Sequence, residues 1–508
     1  MASDELDQGL EDLLRRLNEI GAALSLERDL HALLDRILLE ARRFTYADAG
    51  TLYLVQGESL IFEITQNDTE LSDGDFDKAK MPPVPLNEDS ASGYAAVTGD
   101  TLNIDDVYSG ETQFEGPKQY DALTGYHTQS MMVVPMRDHE DQIIGVLQLL
   151  NSKNPETGKI TAFNRKEEGL VKSLASQAAV SINNVRLIED TERLFESFVQ
   201  VMATAIDERS PYTGGHIRRV AEMTMAVAQA VNECEEGPLA DVYFDEEEMA
   251  ELRIAAWMHD IGKITTPEWV VDKPTKLTTI VDRMAAVRTR FQWMRSQVEV
   301  ERLEKRLEGR AKGDESDFDR RQQEIDDDLA FLKRINLPGE SMEEVDLKRL
   351  KEIASKRYLA DVEPLTEDEV LNLSITRGTL TDAERQKIND HAEMSIRMLE
   401  QIPFTRKLSK VPAIAGAHHE WLNGKGYPRG LKGDEISLQA RILALVDILE
   451  SISADDRPYR AKPMTKEAIL RILQKEVEVG HLDAEVHSLF LRCELFKLLE
   501  QIKQVAAS

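Results

Sequence analysis

The sequence has almost no cysteine and no apolar run long enough to cross a membrane. Cys234 and Cys493 are the only cysteines among 508 residues, and two thiols so far apart do not make a disulfide framework, which fits a reducing compartment. No apolar run approaches the roughly 20 residues that a membrane span requires. The acidic segment from Met1 to Asp7 lacks the basic start of a secretory signal. We therefore expect a cytoplasmic chain without membrane insertion.

Positive charge is also scarce. Lysine and arginine number 62 against 93 aspartate and glutamate residues, which gives a net charge of −31. This excess of negative charge argues against non-specific binding to nucleic acid or to anionic membranes. An anionic substrate would therefore need local positive charge, supplied by metal ions or by a basic pocket. With 42% hydrophobic residues, the chain is long enough for two or three globular domains.

The N-terminal part combines helix-like and strand-like segments. Apolar residues at spacings of three and four predict helix over residues 1–45, of which residues 1–24 are an N-terminal helix. Two strand pairs with hairpin character follow, Gly50–Val55 with Leu60–Thr65 and Met131–Met136 with Ile143–Leu150. This order of helix, hairpin, loop, hairpin and helix predicts an α+β domain, in which an antiparallel sheet carries helices on one face.

This part resembles a GAF domain, a module that senses small molecules or redox state. The resemblance covers residues 25–186 and is carried by the run Gly93–Ile104 and by Val134 and Pro135 followed by Ile144–Leu149. It implies a bound small ligand of unknown identity. Family members that bind cyclic nucleotides carry a pattern that this chain matches only loosely, at Asn151, Lys153, Phe163, Glu167 and Glu168. We interpret these five residues as a polar loop followed by a helix start.

A long helix is predicted to join the two halves of the chain. Residues 166–206 contain little glycine and no proline, and ten apolar residues recur there at three or four positions: Leu170, Leu174, Ala178, Ile182, Val185, Ile188, Phe195, Phe198, Met202 and Ile206. Such a helix commonly packs against an identical one, and we expect a parallel homodimer through it. The alternative is two shorter helices, each packed on its own domain.

Residues 279–377 differ in composition from their surroundings. Two charged segments, Arg288–Arg310 and Asp317–Arg334, carry leucine, valine and isoleucine at helical spacing, and a further helical run covers Met342–Tyr358. We predict a helical insertion that protrudes from an all-α domain over residues 195–508. The simplest interpretation of its charged residues is that they form a solvent-exposed face.

Seven histidines and aspartates in the second half have the chemistry of a metal centre. They are His216, His259, Asp260, His391, His418, His419 and Asp447. Several lie where an apolar run meets polar residues, and a buried charge there is costly unless it binds something. Five imidazoles and two carboxylates suffice for two divalent ions, and iron or manganese fits these mixed ligands better than zinc. Taken alone, His259 and Asp260 would equally fit a capped helix end with Lys263 at the surface.

The order of these residues resembles the HD-GYP family, bacterial phosphodiesterases of cyclic di-GMP within the HD phosphohydrolase superfamily. The resemblance rests on the runs His259–Lys263 and His418–Leu431 and covers residues 195–275 and 378–480. It implies that the seven residues above bind two metal ions and that Lys263 and Asp260 act in catalysis. It also implies substrate contacts at Gly426, Tyr427, Pro428, Arg457 and Arg460.

The chain departs from the family pattern at three positions. Tyr212 stands where members with a third ion carry a glutamate, so we expect two ions. Asn423 and Glu450 each replace an aspartate, and we expect these changes to affect substrate fit more than metal binding. The insertion also falls between Lys263 and His391, where it could shape or obstruct the site.

The resemblance implies hydrolysis of cyclic di-GMP to linear pGpG and onward to GMP, under control of the GAF domain. Two alternatives stay open. One is a receptor that binds the dinucleotide without turnover, and the other is a hydrolase of another cyclic dinucleotide. Formation of linear product would exclude the receptor as the whole explanation, and competition assays would separate the substrates.

Overall fold

The computed structural model describes residues 15, 19–24, 26–27, 29–69, 82–109, 114–118, 121, 125–209, 215–309, 315–338, 342–359, 362–454 and 464–506. Of the N-terminal helix predicted over residues 1–24, residues 15 and 19–24 lie in this part and are helical, and the remainder lies outside it. The chain divides into two compact units, Met1–Leu194 and Phe195–Ser508.

The first unit is built around an antiparallel sheet. Its strands are β1 (Ala47–Gln56), β2 (Ser59–Asn67), β3 (Val84–Pro85), β4 (Leu102–Ile104), β5 (Met131–Arg137), β6 (Ile143–Lys153) and β7 (Ile160–Thr161). Its helices are α1 (Leu30–Thr45), α2 (Ala91–Thr98) and the first part of α3 (Arg165–Asp207). The strand order is β3-β2-β1-β6-β5-β4, with β7 beside β6. Both predicted hairpins are confirmed, since β1 pairs with β2 and β5 pairs with β6.

Helices cover both faces of this sheet. Leu52, Leu147 and Leu149 lie in a core shared with α1 and α3, whereas Tyr53 and Val146 lie in a second core shared with α2. Successive side chains of a strand point to opposite faces, so the central strands are buried on both sides. The expectation of helices on one face is therefore wrong. The signal that could have corrected it is the nearly continuous apolar character of β5, which is typical of a strand buried on both faces.

The polar loop predicted at Asn151 and Lys153 is the end of strand β6 instead. Asn151 is almost fully buried, and its side-chain oxygen accepts a hydrogen bond from the backbone N–H of Gln129 at 2.7 Å. Lys153 forms an ion pair with the buried carboxylate of Asp48. These two polar residues therefore brace the sheet, and their interactions are satisfied within it.

Helix α3 is continuous over 43 residues, and the division between the two units falls within it. The predicted connection by a long helix is thus confirmed. Neither this helix nor any other in the described ranges combines the length and the apolar character that a membrane span requires.

The second unit is entirely helical in its described residues. Its helices are α4 (His216–Asn232), α5 (Glu246–Met258), α6 (Glu268–Val271), α7 (Met284–Leu307), α8 (Glu315–Asn336), α9 (Glu344–Ser355), α10 (Glu367–Leu373), α11 (Asp382–Leu399), α12 (Val411–Ala415), α13 (Leu438–Ser453), α14 (Lys466–Glu478), α15 (Ala484–Arg492) and α16 (Phe496–Ala506), with short 3₁₀ turns at Ile261–Thr265, Arg406–Leu408 and Gly433–Glu435. One core is formed mainly by α4, α5 and α13, and a separate core is formed by α7 to α10. The second core is the predicted helical insertion.

Two buried lysines fasten the ends of the insertion to the rest of the unit. The ammonium group of Lys273 contacts Glu384 at 2.8 Å and the side-chain oxygen of Asn372 at 2.9 Å. Lys276 donates to the backbone oxygen of Ile375 at 2.7 Å. Glu384 is also the third residue of α11, where it forms a capping box with Thr381. The insertion therefore begins and ends beside the start of the helix that carries His391.

Candidate metal centre

Five segments of the second unit bring the seven predicted ligands together. His216 begins α4, His259 and Asp260 directly follow α5, His391 lies in α11, His418 and His419 follow α12, and Asp447 lies in α13. Their ligand atoms fall into groups of three whose members lie within 4.8 Å of one another: His216, His259 and Asp447; His391, His418 and His419; His259, Asp260 and His418. All except His419 are buried, and His419 is partly buried.

Asp260 lies between two sets of histidines. Its Oδ2 atom lies 3.6 Å from Nε2 of His216 and 3.3 Å from Nε2 of His259. Its Oδ1 atom lies 3.2 Å from Nε2 of His391 and 3.9 Å from Nε2 of His418. Each carboxylate oxygen therefore faces a different pair of imidazoles, an arrangement suited to a carboxylate that bridges two ions.

Three of the imidazoles are oriented by the backbone. In His259, His391 and His418 the Nδ1 atom lies 2.5–2.8 Å from the carbonyl oxygen of the residue three positions earlier. When Nδ1 donates that hydrogen bond, Nε2 keeps its lone pair and points into the centre. Among the described residues, none of these three Nε2 atoms has a hydrogen-bond partner, and neither has Oδ1 of Asp260. Buried polar atoms are normally paired, so four unpaired atoms around one point fit metal ions.

His418, His419, Asp260 and Asp447 are in the protonation states that metal binding requires, whereas the neighbouring carboxylates raise the pKa of His216 and of His259 although burial opposes this. Burial lowers the pKa of His418 well below its ordinary value and lowers that of His419 to about 3, so both rings are neutral. Burial opposes ionisation of Asp260, but Lys263 and the adjacent imidazoles hold the pKa of this carboxyl well below its usual range. Burial likewise opposes ionisation of Asp447, and the histidines around it again lower its pKa. Neutral imidazoles and ionised carboxylates are the forms that bind metal.

Glu450 contacts the Nδ1 side of the His216 ring. Its carboxylate is fully buried, contacts Nδ1 of His216 and accepts hydrogen bonds from Arg219 at 2.6 and 2.8 Å. Burial alone would raise the pKa of Glu450, but His216 and Arg219 lower it to about 2, so the group is ionised. A carboxylate behind a metal-binding histidine fixes the ring and its tautomer. Glu450 therefore contacts one of the predicted metal ligands, and its larger effect on substrate fit stays a prediction.

We predict that Glu450→Gln lowers metal affinity by roughly 10- to 100-fold, because the amide keeps the shape of the side chain but removes its charge. The measurement is a metal titration against a competing chelator, with helix content followed by circular dichroism. Glu476→Gln is the matched control, because Glu476 also contacts a histidine, His481, at 2.5 Å, away from the seven ligands. Unchanged affinity in Glu450→Gln would contradict the assignment.

Lys263 reaches the centre through a tight 3₁₀ turn. A further α-helical turn would place Lys263 and His259 on one face, but α5 ends at Met258 and a 3₁₀ turn begins at Ile261. The ammonium group of Lys263 contacts Oδ2 of Asp260. A Cβ atom at Gly262 would lie 2.0 Å from the backbone oxygen of His391, so only glycine allows this close approach.

The C-terminal end of α3 contacts this turn and the start of α4. Arg209 donates hydrogen bonds to the backbone oxygens of Lys263 and Thr266 at 2.9 and 2.8 Å. Asp207 accepts a hydrogen bond from the backbone N–H of Ile217 at 3.1 Å, and burial raises the pKa of this carboxyl to about 6. Both residues line a cleft with His216, Asp260 and Lys263. Sequence reasoning missed both, because their partners are backbone groups that leave no motif.

We predict that Arg209→Ala lowers turnover by roughly 10- to 100-fold while bound metal is unchanged. The guanidinium fixes the backbone of the Lys263 turn, and a small misplacement of a catalytic group is costly. The measurements are steady-state rate and metal content of the same preparation. Arg253→Ala is the control, since the partner of Arg253 among the described residues is half-exposed Glu196, at 3.5 Å. Wild-type turnover would contradict the prediction, and loss of metal would assign Arg209 to the fold instead.

The loop that contains Gly426, Tyr427 and Pro428 packs against His419. The backbone N–H of Tyr427 donates to the backbone oxygen of His419 at 3.1 Å, and the two rings lie 4.8 Å apart. A Cβ atom at Gly426 would lie 2.5 Å from that same oxygen. Buried Glu420 accepts three backbone N–H groups of the loop, at 2.6, 3.1 and 2.9 Å. Gly426 and Tyr427 thus lie beside the centre, with Pro428 next in the loop. Arg457, Arg460 and Tyr212 lie outside the described residues.

The first unit contains a cavity between the sheet and α2. The side-chain oxygen of Gln148 accepts hydrogen bonds there from the hydroxyls of Tyr53, at 2.8 Å, and Ser92, at 3.3 Å. Thr51, Phe62, Met131 and Leu150 are among its other lining residues, and none of the described lining residues is charged. Lys153, which belongs to the loosely matched cyclic-nucleotide pattern, is engaged with Asp48 instead.

Comparison with protein-family models shows which domains the chain contains. A GAF domain model matches residues 29–182, and two HD domain models match residues 213–327 and 367–486. The chain joins a GAF domain to an HD domain. The recognition made from the sequence motifs is thereby confirmed, and the sheet cavity belongs to the GAF domain whereas the seven clustered residues belong to the HD domain.

Curated relatives of the chain are phosphodiesterases. The 3′3′-cGAMP-specific phosphodiesterase 3 of Vibrio cholerae is 41% identical over 103 residues, which are 20% of this chain and 21% of the relative. The 3′3′-cGAMP-specific phosphodiesterase 1 of the same organism is 38% identical over 115 residues, 23% of this chain and 26% of the relative. A cyclic di-GMP phosphodiesterase of Pseudomonas aeruginosa is 30% identical over 164 residues, 32% of this chain and 36% of the relative. The chain thus spans from about a fifth to about a third of the length of these relatives.

Proposed function

We propose that the HD domain is a metal-dependent phosphodiesterase that hydrolyses cyclic di-GMP to linear pGpG and then to GMP, in the cytoplasm and under control of the GAF domain. The observation that carries the proposal is Asp260, whose two oxygens face two different pairs of buried imidazoles. This supports two divalent ions, and the mixture of nitrogen and oxygen ligands favours iron or manganese.

The ligand groups divide between the two ions. His216, His259 and Asp447 would hold one ion, and His391, His418 and His419 would hold the other, with Asp260 shared. When bound, such a pair supplies Lewis acidity, activates water and holds the phosphate between the ions.

Lys263 supplies local positive charge beside Asp260 in a chain of net negative charge. Its ammonium group is partly exposed and lies at the cleft beside Asp260, where a phosphate oxygen can reach it. A fixed ammonium there stabilises the negative charge that grows on the phosphate during hydrolysis. The reaction adds one water, breaks the bond between phosphorus and the 3′ oxygen, and leaves a 5′-phosphate on the linear product.

A second candidate substrate is 3′3′-cGAMP. The observation in its favour is that two relatives with 41% and 38% identity are named for this substrate, whereas the relative named for cyclic di-GMP is 30% identical. The two dinucleotides present the same cyclic phosphodiester and differ in one base. The proposed metal chemistry therefore serves both, and base recognition decides between them.

The GAF domain is proposed to bind a small uncharged ligand. Its cavity offers the amide of Gln148 and hydroxyls such as that of Ser92 for hydrogen bonds, among apolar side chains such as Leu150. A phosphate group in this cavity would have no charged partner among the described lining residues, and burial of an unpaired charge is costly.

The test is anaerobic purification, metal analysis and incubation with each dinucleotide, alone and in competition, with chromatography of the products. Two bound iron or manganese ions and linear pGpG would support the proposal. Turnover of 3′3′-cGAMP but not cyclic di-GMP would move the assignment to the second substrate. If metal-loaded protein bound the dinucleotide without hydrolysing it, the enzymatic function would be rejected in favour of a receptor function.

A further inference from the structure

The only two cysteines of the chain line one open cleft of the second unit, although they are far apart in the sequence. Cys234 lies two residues after the end of α4, and Cys493 lies directly after the end of α15. Cys234 is partly buried and Cys493 is exposed. None of the seven clustered residues is among the described residues that line this thiol cleft, and the proposed hydrolysis uses neither thiol.

A shared core brings the two cysteines to the thiol cleft. Ala230 of α4 and Leu489 of α15 are buried in the same core, and both line the cleft. Each cysteine follows one of these residues by four positions, so each lies about one helical turn beyond the shared core. The guanidinium of Arg492 lies 3.8 Å from Sγ of Cys234. The end of α15 therefore reaches the thiol at the end of α4.

We propose that Cys234 and Cys493 form a dithiol oxidation site, at which a low-molecular-weight disulfide converts the two thiols to an intramolecular disulfide. The thiolate of exposed Cys493 first attacks one sulfur of the reagent, which breaks its sulfur–sulfur bond and releases one thiol. The thiolate of Cys234 then attacks Sγ of Cys493, and the second half of the reagent leaves as a thiol. The protein loses two electrons and two protons, which reduce the reagent to two thiols.

Both cysteines lie at turns that can adjust when the bond forms. A disulfide requires Cα atoms within about 7 Å of each other, so the turns carry any shift that the bond demands. Glu494, directly after Cys493, has a φ of 49°, and Gly237, soon after Cys234, has a φ of 87°. The thiol of Cys234 donates a hydrogen bond to the backbone oxygen of Glu236 at 3.1 Å, and oxidation replaces this bond.

A bound metal ion is the other ligand that two thiols could share. Within the described ranges, neither thiol belongs to a group of three His, Cys, Asp or Glu ligand atoms that lie within 4.8 Å of one another. A structural zinc site uses four such ligands. The guanidinium of Arg492 would also repel a cation beside Cys234. The surroundings therefore fit thiol oxidation better than metal binding.

Charge in the thiol cleft selects the reagent. Exposed Glu233, Glu235 and Glu236 line the cleft, and the cation among its described lining residues is Arg492. An excess of one charge raises the rate of encounter with reagents of the opposite charge by roughly 10- to 1000-fold. We therefore expect cationic cystamine to react at least about tenfold faster than anionic oxidised glutathione, each relative to its rate with a neutral free thiol. Added salt should reduce this ratio.

The disulfide would enclose most of the metal centre within one covalent loop. Six of the seven clustered residues lie between the two cysteines in the sequence, and the seventh, His216, begins the helix that ends beside Cys234. A link between distant positions restricts the unfolded chain and so stabilises the folded one. The linked protein should therefore release metal at least about tenfold more slowly in urea. This consequence, unlike the disulfide itself, rests on the proposed metal centre.

The experiment treats the full metal-loaded chain, reduced and under argon, with one equivalent of cystamine or of oxidised glutathione. Peptide mass spectrometry without reductant should find Cys234 linked to Cys493, and a denaturing gel without reductant should show a single chain. Cys234→Ser and Cys493→Ser should each keep a mixed disulfide on the remaining cysteine. Mixed disulfides on both cysteines of the wild type, a link between two chains, or faster reaction with oxidised glutathione would each overturn the proposal.

Metal release is followed in urea with a coloured chelator, for linked protein and for the same protein after reduction with dithiothreitol. Cys234→Ser is the matched control, since it should keep wild-type metal content and turnover and show no change on treatment with cystamine. Equal release rates from linked and reduced protein would refute the stabilising effect of the link. If the link formed in a chain that binds no metal, the proposed metal centre would fail and the oxidation site would stand, so the two failures are distinguishable.

Discussion

His259→Ala is expected to remove bound metal and phosphodiester hydrolysis together. Nε2 of His259 faces both Asp260, at 3.3 Å, and Asp447, at 3.8 Å, so its loss affects the ligand group of His216, His259 and Asp447 and the carboxylate that the two groups share. A metal pair contributes several kcal/mol to the transition state, and each 1.4 kcal/mol is about tenfold in rate. We expect turnover to fall by about a thousandfold or more. Metal analysis and product chromatography on one preparation provide the measurement.

The matched control is His127→Ala. His127 is exposed in the first unit and stacks on Tyr108, with ring centroids 5.0 Å apart. Its removal should leave metal content and turnover at the wild-type level. If His259→Ala kept its metal or its activity, the ligand assignment and the mechanism built on it would both fail.

Lys263→Ala is expected to lower turnover by about 100- to 1000-fold while the protein keeps its metal. Removal of one preorganised donor to a developing oxyanion costs about that much in comparable sites. The ammonium contacts Asp260 but is not one of the seven ligands. The diagnostic result is therefore a loss of rate at full metal occupancy, measured by single-turnover kinetics with saturating protein.

Lys475→Ala provides the comparison for Lys263→Ala. Lys475 is an exposed lysine in the last turn of α14, so its loss changes net charge by the same amount without touching the centre. Normal turnover in Lys263→Ala would remove the role assigned to the ammonium group. Loss of metal would reassign Lys263 to the support of Asp260.

Five of the seven clustered residues could be singled out from the sequence because they lie in local patterns. His259 and Asp260 end an apolar helix, His418 and His419 end another apolar run, and the helix of His391 begins with a capping box. Such signals depend only on neighbours along the chain. They are therefore readable before the fold is known.

The supports of the site could not be predicted in the same way. Glu450 contacts His216 across 234 positions of sequence, and Arg209 contacts backbone atoms more than 50 positions away. Neither pairing produces a periodic or a motif-like signal. For the same reason the apolar stripe of α3 gave no indication of which face its own domains would cover.

Because the insertion has a core of its own, we expect the HD unit to unfold in more than one step. Within the described ranges, the core of α7 to α10 shares no buried apolar residue with the core around α4, α5 and α13. Regions with independent cores can open at different free energies, so one melting temperature does not describe the whole chain. A far-ultraviolet melt would average the insertion with the rest. Release of bound metal would follow only the core that surrounds the seven ligands, and the interval between the two transitions would measure how loosely the insertion is coupled to catalysis.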